Sequence, residues 1–210
     1  MDRSGQGVPE GRKWPLTCGF EFAGGVGPVL SWVTAPAHPN RGGSVTFRKG
    51  DKVVYPHHGA AIIQEITNRE LLGETRKYFV LKLAYGGDLT LMVPVDNTEE
   101  VGLREIVSKR EAKKVLDVLK EGESASSTNW SRRFKTNWEK LRSGDIFHVA
   151  EVVRDLSIRE GAKGLSAGEK RMLAKARQIL VSELTFAVDA TEQKAEAMID
   201  KILQDAHSPA

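Results

Sequence analysis

Residues 45–67 read VTFRKGDKVVYPHHGAAIIQEIT, and whether this stretch forms strands or a helix decides the architecture. Val53, Val54 and Tyr55 favour extended backbone, Pro56 interrupts any helix, and Gly59 opens a second apolar run at 60–63. Short β-branched and aromatic runs divided by turn residues predict strands. Two more follow, RKYFVLKLA at 76–84 and DLTLMVP at 88–94, with NRELLGE and YGG between them. Gly86-Gly87 supplies the positive φ of a tight hairpin, and Pro94 ends the last strand. Four or five strands in roughly fifty residues can bury a face only by curling into a small barrel, the SH3-like or Tudor-like solution.

From residue 99 the apolar period becomes helical, so the chain reads as α+β, a small β-barrel followed by an all-helical domain. One helix is expected over 99–120, with Ile106, Val107, Val115, Leu116 and Leu119 inward, then a Ser-rich linker at 122–128. A second starts near Asn129. A third follows Gly144 and turns Ile146, Val149, Val152, Val153 and Leu156 inward. The fourth opens on a capping box, Ser166-Ala167-Gly168-Glu169, and buries Met172, Leu173, Ala176, Leu180 and Leu184. The last is expected over 191–206. The domains are therefore 1–44, 45–97 and 98–207.

The first 44 residues hold nine Gly and five Pro without an apolar period and read as a disordered tail. A signal peptide is disfavoured because Glu21 and the glycines at 19, 24, 25 and 27 interrupt any apolar run. A further expectation is that translation starts at Val45, with the Arg41-Gly42-Gly43 codons acting as a purine-rich ribosome-binding sequence. No run of about 18 apolar residues predicts a membrane span. Cys18, the single cysteine, cannot pair within the chain or build a thiolate metal site, which suits a reducing cytoplasm.

A net charge of +3 conceals a polarity. Residues 129–178 carry twelve Lys and Arg against six Asp and Glu, residues 179–210 two against six, and residues 45–128 thirteen of each. The cationic field is confined to one region, which points first to phosphate. No catalytic set can be assembled: His57-His58 is explained by a turn after Tyr55-Pro56, and GAKGLSAGEKR lacks phosphate-loop spacing and a preceding strand. The reading is a binding protein, with no cofactor, metal or small-molecule substrate.

That region opens on TNWSRRFK at 128–135. Trp130, Phe134, Trp138 and Leu141 share one helical stripe, and a stripe is usually core. Phe134 and Trp138 are assigned to the core on this ground. Trp130 lies on the first turn, where a stripe runs out of partners. Its indole is free to stack or wedge beside Arg132 and Lys135, which share another face.

The chain from Val45 to Asp205, about three quarters of it, resembles the CarD family of bacterial RNA polymerase-binding transcription regulators. FRKGDKVVYPHHGAA, TNWSRRFK and GLSAGEKRMLAKARQIL carry the resemblance, in that order. It implies a Tudor-like domain, shared with transcription-repair coupling factors, that docks on the polymerase β subunit. It also implies a helical domain that contacts promoter DNA at the upstream edge of the bubble, in the minor groove, and stabilises the open complex. The wedge falls on Trp130, and the phosphate contacts on Arg132, Arg133, Lys135, Arg159, Lys170 and Arg171. Polymerase docking falls on Arg69 with Glu70 and Leu71, in the loop between strands. Met92 stands where relatives often carry a second arginine, replacing a charge-assisted bond with an apolar contact. The competing class is an RNA- or ribosome-associated small barrel, against which the balanced charge of 45–128 counts.

Overall fold

A computed structural model of the chain describes residues 46–71, 74–85, 89–124 and 129–207. The predicted tail, the Gly86-Gly87 turn and the later half of the Ser-rich linker lie outside the described residues. Five strands, β1 (Lys52–Tyr55), β2 (Gly59–Leu71), β3 (Glu74–Leu83), β4 (Thr90–Pro94) and β5 (Arg104–Glu105), precede five helices. These are α1 (Lys109–Val118), α2 (Trp130–Arg142), α3 (Ile146–Lys163), α4 (Ala167–Ala187) and α5 (Glu192–His207). The α+β reading is correct.

The strands form one sheet in the order β4-β3-β2-β1-β5, each neighbour antiparallel. Alternation along the strands sends Val53, Ala61, Ile63, Phe79, Leu81 and Val93 into a core closed by Phe47 and Leu103. The opposite face of β1 and β2 is buried too: Val54 and Ala60 pair across the strands and are almost wholly covered. Here the Ala60 amide donates to Ser182 Oγ on α4 at 3.0 Å. Both faces of the opening stretch are therefore apolar, which is why it reads as continuous runs.

Residues 99–120 do not form one helix. They turn, return to the sheet as β5 against β1, and start α1 at Lys109. A signal for that start was present: the Ser108 side chain accepts from the Glu111 amide and Glu111 accepts from the Ser108 amide, a complete capping box. Helices α2, α3 and α4 likewise begin where capping residues stand, at Asn129, Asp145 and Ser166. The predicted inner faces of α3 and α4 are buried in one core with Val115 and Leu119, which Ala195, Ile199 and Leu203 of α5 complete.

Candidate nucleic-acid interface

Helix α2 does not bury the face its period predicts. Its buried residues are Arg133, Asn137 and Leu141. Phe134 is partly buried against the core, whereas Trp138 is 48% exposed, with its ring centroid 6.4 Å from that of His57. The assignment of Trp138 to the core is thus corrected. The helix is rotated because Arg133, only 5% exposed, is drawn inward by a carboxylate. Its Nε and Nη2 both donate to Glu169 Oε1, at 3.0 and 2.8 Å. A guanidinium held in a buried pair is not a surface cation, so the structure removes Arg133 from the candidate phosphate contacts. Arg154, counted in the same basic region, is likewise buried and bonded to Asp155 and Glu121.

Glu169 is also the third helical residue of α4, and its Oε2 accepts from the Ser166 amide and hydroxyl. Burial opposes its charge, but the bonds from Ser166 and Arg133 win and hold its pKa below the ordinary value. The first turns of α2 and α4 are thereby fastened side by side. Gly168 allows the approach: a Cβ there would come within 3.2 Å of Phe134 Cε2.

Trp130 sits on this junction. It is 47% exposed, its ring stacks on Phe134 at a centroid distance of 5.3 Å, and its Nε1 donates to Ser166 Oγ at 3.1 Å. One side of the indole is fixed and the rest is open. Around it, Arg132, Lys135, Lys170 and Arg171 are exposed. Lys135 makes only a long, solvated pair with Glu139 at 3.9 Å. Arg159 is partly buried, and its Nε lies 3.9 Å from Glu169 Oε1, beyond hydrogen-bond reach. Two helix N-termini end here, adding their partial positive charge to the side chains. The arrangement can receive phosphates and offer a flat ring to a base.

The second candidate site lies on the sheet. Arg69 and Glu70 are not in a loop, because the β2–β3 ladder continues to the Leu71↔Glu74 pair. Arg69 is exposed opposite Arg76, which pairs instead with Glu74 at 2.6 Å. The register puts Arg69 and the exposed Met92 on the same face, since Met92 pairs with Val80, and Val80 with Glu65. They lie about 13 Å apart along the strands and two strands across. Glu70 alternates to the opposite face, and the Leu71 side chain is outside the described residues.

His57 and His58 lie in the β1–β2 turn, His57 with a left-handed φ of 68°. Burial, Lys175 and His57 lower the His58 pKa to about 4. Its unfolded value is near 6.5, so the native state refuses a proton that the unfolded chain accepts. This contribution is complete above pH 6.5 and is lost as pH falls toward 4. Thermal melts should therefore drop through that window, and His58→Gln should flatten the drop; equal slopes in the two proteins would remove His58 as the cause.

Among the described residues no helix is long and apolar enough to cross a membrane, and no group of three His, Cys, Asp or Glu is placed to hold a metal ion. Family comparison matches residues 47–107 to the CarD-like/TRCF RID domain and residues 114–200 to the CarD C-terminal domain. The chain is 35% identical over 151 residues, 72% of its length and 98% of the other's, to the protein named "Putative transcription factor YdeB" of Bacillus subtilis (strain 168). The two matched domains follow one another in the order the fold shows, and the chain belongs to the CarD family.

Proposed function

We propose that this protein is a transcription regulator that binds RNA polymerase through its sheet and stabilises the open promoter complex through its helices. The observation that carries the reading is Trp130, an exposed ring anchored by Ser166 and Phe134 among solvated cations. In this reading residues 45–97, with the returning strand β5, form the docking domain, and the rest of 98–207 forms the DNA domain. Arg69 and Met92 contact the polymerase β subunit. Arg132, Lys135, Lys170 and Arg171 contact phosphates at the upstream fork, with Arg159 behind them, and Trp130 enters the minor groove. The protein acts as a binding module in the bacterial cytoplasm, at the nucleoid, with no chemistry of its own.

The physical logic is tethering. Few groups here can read base edges, so the helical domain alone should bind DNA weakly, through phosphates, and with strong salt dependence. Docking on polymerase raises its concentration at the fork to roughly the millimolar scale of a short tether. Stacking that is available only on opened DNA then shifts the opening equilibrium toward the open state.

Arg69→Glu tests the division of labour. It should abolish pull-down of the polymerase β subunit and leave salt-dependent binding to promoter DNA within about twofold, because the two sites share no residue. Undiminished pull-down would move the docking patch elsewhere on the sheet.

A further inference from the structure

The wedge reading requires the ring to meet one base step, and therefore a defined angle between sheet and helices. Helix α4 devotes a second face to that junction, at positions 179, 182, 183 and 186. Glu183 is 0% exposed, and both of its oxygens accept from the Arg104 guanidinium, at 2.6 and 2.8 Å. Its Oε1 also accepts from the Val107 amide at 3.2 Å. Arg104 stands on β5, and its Nε and Nη2 donate to the Gly144 carbonyl at 3.1 and 2.8 Å. Gly144 is the turn between α2 and α3, so one side chain ties the sheet to α4 and to the C-terminal end of the helix that carries Trp130.

A second attachment lies beside it. Ser182 Oγ accepts from the Ala60 amide and donates to the Ile179 carbonyl at 2.7 Å. A Cβ on Gly59 would fall 2.4 Å from that oxygen, at a φ of +89°, so only glycine fits. Phe186 lies under the Lys52 ammonium at 4.8 Å. Continuous burial and bonding of this kind makes the junction a fixed joint.

We infer that Arg104 and Glu183 are positioning residues: their fork sets the angle between the polymerase-docking sheet and α2, and thereby the place Trp130 reaches. This rests on the function proposed above. Helix α2 has 13 residues and is about 20 Å long at ~1.5 Å per residue. A tilt of roughly 10° of the helical body about this joint would carry Trp130, one helix length away, about 3.4 Å, one base step along a strand. Small angular freedom is enough to miss the fork.

The test pairs an inter-label distance with a promoter measurement. Labels go on the exposed Lys77 and Ser131 in a Cys18→Ser background, and double electron–electron resonance compares wild type with Arg104→Lys and Arg104→Met. Lysine keeps the charge beside Glu183 but cannot also span to Gly144. Both substitutions should broaden the distance distribution by about 3 Å or more. Without labels, both should lower open-complex lifetime while polymerase pull-down and DNA affinity stay at wild-type level, a split that general loss of structure would not produce. If Arg104→Met melts below the assay temperature, Arg104→Lys carries the test. A distribution as narrow as wild type in Arg104→Lys overturns the inference. Broadening in a protein whose wild type leaves bubble lifetime unchanged supports the joint and overturns the wedge.

Discussion

Replacing Trp130 with alanine is expected to shorten open-complex lifetime by roughly five- to 150-fold relative to wild type, the equivalent of about 1–3 kcal/mol of base stacking. The loss should fall on opened DNA alone, because a duplex offers no free base face. Polymerase pull-down should be unchanged, since the proposed docking residues, Arg69 and Met92, lie on the sheet, away from the α2–α4 junction that holds the indole. The fold should tolerate the change within about 1 kcal/mol, because a half-exposed ring leaves no sealed cavity. Trp130→Phe sharpens the assignment by retaining a stacking surface while losing the bond to Ser166; an intermediate lifetime is expected. Bubble decay at the wild-type rate in the alanine variant would refute the wedge.

Arg133→Met should instead act on stability. It leaves the buried Glu169 carboxylate with only the Ser166 bonds and the more distant Arg159, and removing one partner of a buried ion pair costs about 3–5 kcal/mol. For a chain of this size that lowers the melting temperature by roughly 6–20 °C. Part of the loss is relieved in acid, where Glu169 takes up a proton; its native pKa is depressed, so the pair's contribution is present above the ordinary glutamate value and fades as pH falls below it. A phosphate contact would behave differently: melting would be unchanged and the salt dependence of DNA binding would fall by about one phosphate. That second pattern would show that Arg133 belongs to the DNA surface after all.

The difference between Arg132 and Arg133 marks where sequence reading stops. The two are adjacent, equally cationic and in one motif, and nothing in their order says which faces Glu169 across 36 residues. Periodicity chose Trp138 for the core because aromatic residues bury large areas, but the charge pair rotated α2 and left Trp138 beside His57. Likewise NRELLGE has the composition of a loop, yet β2 and β3 pair through most of it, because each strand satisfies the other's backbone groups whatever the side chains. The short β5 carries no apolar run at all and exists because Val53 and Val54 of β1 offer it an edge.

What the sequence determined by itself was local. Turn residues, the Ser166–Glu169 capping box and the apolar period placed β1 to β4 and α2 to α5, but not β5 or the start of α1, and the motifs at 47–61, 128–135 and 164–180 identified the family. These signals span a few residues, which is the range over which backbone preferences and helix caps act. What only the tertiary structure decided was which charges are buried and how the sheet is joined to the helices. Arg133 with Glu169, and Arg104 with Glu183 and the Gly144 carbonyl, are meetings of distant segments. Desolvation makes such pairings selective, since a buried guanidinium is stable only where a carboxylate or carbonyl stands in place to receive it.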